Sequence, residues 1–177
     1  AFIDRITLLG ADDARKEFQQ LLRYIENGID GIDYSTLCTE AVIKSPNDED
    51  IQQLLDFANS AEKRRQELLQ EALEVGIEDE EKSELGGISK ETEEALYRRK
   101  RAEQLARLLI AKKALLEVLN SNRFEEIWLD FCRSEYGNSA IRSALVAQKA
   151  QHIGTSMMEL NVCGAIPPYN EILGGKL

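Results

Sequence analysis

Proline is nearly missing from this chain, with three in 177 residues, and so few helix breakers favour a helical protein over an all-β plan. Cysteine is scarce as well. Cys38, Cys132 and Cys163 lie far apart without CxxC spacing, which argues against a disulfide framework and points to reduced thiols in a reducing compartment. No apolar run approaches the roughly 18 residues that a membrane span needs. The opening residues AFID show neither a methionine nor the basic and apolar pattern of an export signal. The expectation is a fragment of a cytoplasmic protein without a membrane partner. Positive charge is also in deficit: the net charge of −10 argues against binding phosphate backbones over the whole surface.

Ready-made chemistry is absent too. His152 is the single histidine, and a Cys₃His site built with it would lack the close ligand pairs that metal sites draw on, so no metal is expected. A Cys163–His152 nucleophile pair has no third group to orient it. The segment GAIPPYNEILGGKL is not a P-loop, because too many residues separate Gly164 from Gly174 and Leu177 stands where a Ser or Thr would bind magnesium. The carboxylates of 78–84 lie in a linker that cannot hold two acids in fixed geometry. No cofactor is expected, and no catalytic residue is assigned.

What is present is helical periodicity in a chain that is 43% hydrophobic and 31% charged. After a turn at Gly10, Phe18, Leu21, Leu22 and Ile25 recur at spacings of three and four, which predicts a helix capped by Asp12 or a neighbour and stopped at Asn27-Gly28. GIDYSTLCTEAVIKSP reads as loop or short helix, completing an N-terminal part over 1–46. In the next part, 47–120, SPNDEDIQQLL supplies a cap and early acids. Two columns at seven-residue spacing follow, Ile51, Ala58, Arg65, Ala72 and Leu54, Ala61, Leu68, Val75. They form an alanine-rich seam ending at Gly76.

Past the acidic linker, with a reversal at Gly86-Gly87, Ser89 is placed to cap a second long helix reaching about Asn120. Ala95, Ala102, Leu109 and Leu116 continue the period. Folded back, the two helices make a long antiparallel hairpin that sets Lys63, Arg64 and Arg65 beside Arg98, Arg99, Lys100 and Arg101. These clusters are a candidate site for nucleic acid, DNA or RNA, or for an acidic partner, gripping phosphates without reading sequence. The alternative is a pair of solvated faces matched to Glu62, Glu67, Glu94 and Glu103 at helical spacing.

LARLLIAKKALLEVL is apolar nearly all round and should be buried among other helices. In 121–177, RFEEIWLDFCRS places Phe124, Ile127, Trp128 and Phe131 on one side as core. Gly137-Asn138 reads as a break before AIRSALVAQKAQHI, a helix ending before Gly154. Met157 to Val162 suits a short strand, Gly164 to Pro168 a turn, and Asn170 the cap of a helix from Glu171. Such a strand, turn and helix N-terminus can face an anion, which makes Cys163, Tyr169, Asn170, Gly174, Gly175 and Lys176 a motif of candidate function. The structural alternative is that Gly174-Gly175 only permits close packing and Pro167-Pro168 only stiffens a turn. The fold class expected is mainly α: the hairpin with additional helices, leading into a strand-turn-helix that begins an α/β portion.

GTSMMELNVCGAIPPYNEILGGKL resembles the Druantia anti-phage protein DruA family, as do RSALVAQKAQHIG before it and the pattern of RRKRAEQLARLLIAKKALL followed by Trp128 and Tyr136-Gly137. The resemblance covers roughly residues 92 to 177. It implies a bacterial antiviral role in the cytoplasm, other subunits of the defence system as partners, and a C-terminal half that this chain lacks. It also implies that the α/β portion is similar to an acetyltransferase-like fold. Three functions remain open: a helical region engaging nucleic acid or a partner subunit; part of an enzyme, acetyltransferase-like or nucleic-acid-acting, whose site includes the terminal motif; or an oligomerisation module built on the alanine seam.

Overall fold

A computed structural model describes residues 2–74 and 86–161, with side chains for 2–71 and 90–151. Within them the chain is mainly helical and contains no strand. The helices are α1 (Phe2–Ile6), α2 (Ala11–Asp30), α3 (Glu40–Lys44), α4 (Asp48–Glu74), α5 (Gly86–Leu119), α6 (Phe124–Arg133) and α7 (Glu135–Asn161). None is long and apolar enough to cross a membrane among the described residues.

The second half of α5 is the axis of the body. Leu105, Leu109, Ala114 and Leu115 are wholly buried there, because α2, α6, α7 and the start of α4 surround it. That is the burial which its nearly all-round apolar sequence requires. One hydrophobic cluster joins Phe18 of α2, Ile51 and Leu54 of α4, Leu109 of α5, Phe124 and Trp128 of α6, and Ile141 of α7. Phe18 meets Phe124 edge to face, with ring centroids 5.6 Å apart at 87°, a favoured aromatic geometry. Cys132 is also wholly buried, and that burial pushes its thiol up to about 11. Lys112 lies in this body as a buried cation whose Nζ is 3.1 Å from Glu26.

α4 packs principally against α5. At its start Asn47 Oδ1 accepts the N–H of Asp50 at 2.7 Å, a side-chain cap of the kind its sequence provides. Lys113 Nζ reaches Asp48 at 2.6 Å, and Arg99 Nη1 reaches Glu62 at 2.6 Å. Residue numbers thus rise along α4 as they fall along its partner in these two contacts. Ala58, Ala61 and Leu68 of α4 and Ala95 and Ala102 of α5 are buried. They form the distal arm of the pair, outside the main cluster.

Several expected boundaries move, for identifiable reasons. α2 has Gly10 as its N-cap without a side-chain cap, so Asp12 lies in its first turn rather than capping it. The helix also runs through Gly28 to Asp30 instead of stopping there. A Cβ on Gly28 would lie 3.0 Å from the Cβ of Ala147 and 3.5 Å from Leu108, so this glycine serves close approach to α5 and α7. Gly137 likewise does not break the chain. Ser134 precedes α7, its hydroxyl accepting the N–H of Gly137 at 3.0 Å and donating to the Phe131 carbonyl at 2.8 Å. A Cβ at Gly137 would sit 2.0 Å from that carbonyl; the tight α6–α7 corner demands glycine.

α5 starts at Gly86, which places Ser89 inside the helix rather than at its cap. α7 continues through Gly154 to Asn161, so the strand expected from Met157 begins within helix. A helix already under way gains one hydrogen bond per residue added, whereas a lone strand needs a partner edge. The turn and helix expected beyond it, and the end of α4 expected at Gly76, lie outside the described residues.

Candidate functional site

Most basic residues of the α4–α5 arm are matched by carboxylates. Glu62 sits between two arginines: it accepts two hydrogen bonds from Arg65, each 2.8 Å, and one from Arg99 at 2.6 Å. The Arg65 and Arg99 guanidinium groups together hold the Glu62 carboxyl well below the usual carboxylate range. Arg99 also lies 3.2 Å from Glu103, Arg64 lies 3.5 Å from Glu67 and 3.9 Å from Glu71, and Arg98 pairs with Glu94. Arg64 and Arg98 line one small cavity of about 300 Å³ together with Glu91 and Glu94. The arm therefore brings the two basic clusters together and sets acids among them. Lys63 and Lys100 are exposed and have no ion pair among the described residues.

A different surface carries unmatched positive charge. The C-terminal end of α2, the middle of α5 and the face of α7 enclose a cleft of about 810 Å³. Four cations line it, Lys100, Arg101, Arg107 and Arg142, against two carboxylates, Asp33 and Glu103. Glu103 is engaged by Arg99. Asp33 is held below the usual carboxylate range, first by the Ser35 hydroxyl, which donates to it at 2.6 Å, and less by Arg101. Arg107 and Arg142 are exposed and have no carboxylate partner among the described residues.

Arg101 anchors this cleft. Its side chain is only 13% exposed, its Nη2 lies 3.4 Å from Asp33, and its guanidinium lies over the Tyr97 ring at 5.1 Å. Its Nε and Nη2 are enclosed without a hydrogen-bond acceptor. Because those atoms are enclosed and Nη2 already faces Asp33, the charge that the cleft offers a ligand comes from the exposed Lys100, Arg107 and Arg142. The cleft is thus suited to phosphates or carboxylates held by charge and by the planar arginine fork.

Among the described residues no group of three or more His, Cys, Asp or Glu side chains is placed to hold a metal. Cys38 is half-buried, and Cys132 is closed off in the core. Cys163, Tyr169, Asn170, Gly174, Gly175 and Lys176 lie outside the described residues.

Arg107 and Arg142 escaped the sequence reading. Arg107 follows Lys100 by seven positions, so the helical period alone puts both on one face. Arg142 had no such signal, because only the packing of α7 on α5 brings it to the cleft. Comparison of the chain with protein-family models, with curated proteins and with solved structures finds no match in any of the three.

Proposed function

We propose that this chain is a helical component of a bacterial anti-phage defence system that engages nucleic acid through the α2–α5–α7 cleft. In this reading α4 and α5 form an antiparallel helical hairpin whose distal arm is a spacer or a seat for another subunit. The defence role rests on the sequence resemblance to the DruA family. The nucleic-acid role rests on one observation: four cations converge on a single cleft in a chain of net charge −10. Phosphates neutralised there release counterions, so binding to such a cleft is steeply salt-dependent.

The oligomerisation reading is less well supported, because Ala58, Ala61 and Leu68 are already covered within one chain and Arg65 is spent on Glu62. An enzyme site around Cys163 to Lys176 is a separate proposal, independent of the cleft.

The test is a salt titration of oligonucleotide binding. Log affinity should fall linearly with log salt, with a slope of about −2 to −3 for three or four phosphate contacts. Arg107→Glu with Arg142→Glu should abolish binding, and Lys63→Glu on the arm should leave it near wild type. Absence of binding at low salt, or loss of binding only with Lys63→Glu, would overturn the proposal.

A further inference from the structure

The cleft contains more than charge. Tyr97 lines it with 59% of its surface exposed, and Val146, on the α7 wall, is 62% exposed. Neither large side chain is needed to hold a phosphate. One face of Tyr97 is already met by the Arg101 guanidinium at 5.1 Å, an arrangement that orients the ring and adds positive charge beside it. An exposed aromatic ring inside a basic, concave groove matches the physical requirements for an unpaired base: a π-face to stack on, with cations to track the adjoining backbone.

The alternative ligand of the same charge, a duplex, fits less well. Its base faces are hidden in the stack, it offers a convex ridge of phosphates, and it would leave Tyr97 and Val146 against water or sugar. The cleft's volume of about 810 Å³ lies within the range of roughly 300–1,000 Å³ typical of sites that enclose small molecules. That is room for a splayed nucleotide.

We infer that the cleft's ligand is single-stranded nucleic acid, a base stacking on Tyr97 while Lys100, Arg107 and Arg142 hold the neighbouring phosphates. This inference rests on the nucleic-acid reading above and narrows it to one strand. Arg101 is the positioning residue that fixes the ring.

Fluorescence anisotropy with labelled oligothymidylate, oligouridylate and a duplex of equal length tests it. At low salt either or both single strands should bind at least about tenfold more tightly than the duplex. Tyr97→Ala should weaken single-strand binding about tenfold, within the range of one lost base stack, with the salt slope unchanged. Tyr97→Phe should retain wild-type affinity, and an unchanged circular-dichroism melt should show that Tyr97→Ala still folds. Equal binding of duplex and single strand would overturn the inference and leave the nucleic-acid reading standing, as would wild-type affinity in Tyr97→Ala. No binding of any of the three would overturn both.

Discussion

The two halves of α5 live in different surroundings. From Leu105 onward the helix is enclosed by four others and buries leucine, alanine and valine on most sides. From Lys90 to Ala102 it buries only Ala95 and Ala102, and the ion pair that reaches across to α4 there is Arg99–Glu62, while Arg65–Glu62, Arg64–Glu67 and Arg98–Glu94 each run along a single helix. One continuous helix therefore passes from a region held by apolar area into a region held by small-residue contact and screened charge. Burial of a large side chain contributes about 1.5–3 kcal/mol, an exposed ion pair at most about 1. The arm should open far more readily than the body, independently of it.

The strongest way to break this contrast is to empty the body. Phe18→Ala removes a wholly buried ring that touches Phe124 and Phe131 and should lower unfolding free energy by about 4 kcal/mol, read as a shift in the urea midpoint. A loss below about 1 kcal/mol would mean that the body is not the stabilising region.

Leu68→Ala has a smaller, differently distributed effect. Leu68 is the only large side chain among the buried described residues of the distal arm, at 5% exposure, and its truncation should cost about 2 kcal/mol. Amide exchange should quicken in the second half of α4 while Leu105–Val118 keeps its protection. Equal acceleration in both would show one cooperative unit.

The smallest effect, and the one that most sharpens the comparison, is Glu62→Gln. Because the folded Glu62 carboxyl is depressed, first by Arg65 and then by Arg99, its contribution is complete above the ordinary glutamate value of about 4.3 and is lost as pH falls below it. Exchange in the arm should be faster in Glu62→Gln than in wild type by a constant factor above about pH 5, a factor that shrinks below about pH 4. High salt should shrink it as well. A factor that is unaffected by either variable would show that the pair acts by packing rather than charge.

Much of the helical plan was legible because periodicity is a local signal. α6 follows from apolar spacing, the buried half of α5 from a sequence apolar nearly all round, and the start of α4 from the cap and acids that SPNDEDIQQLL supplies. Two of the misread positions share one cause. Gly28 and Gly137 look like stops, yet each admits a neighbouring backbone or side chain that only the folded chain supplies. The site divides in the same way. Lys100 and Arg101 stand out as part of a basic run, but whether an arginine is free depends on which carboxylate arrives from afar, as Glu62 does for Arg99 across 37 positions. Charge in a sequence shows where cations are. Charge left over after folding shows where a ligand can go.

The closed environment of Cys132 gives the body a built-in chemical clock. With the thiol pushed up to about 11, only about one molecule in a thousand would carry a thiolate at pH 8, against about a quarter for an unfolded cysteine near 8.5. The thiolate is the nucleophile that attacks an alkylating reagent and displaces its leaving group, so labelling at Cys132 waits for the body to open and its rate counts those openings. The half-buried Cys38 should react sooner. Mass spectrometry of a timed alkylation would then time the loosening of the core in the untagged protein, with no substitution introduced.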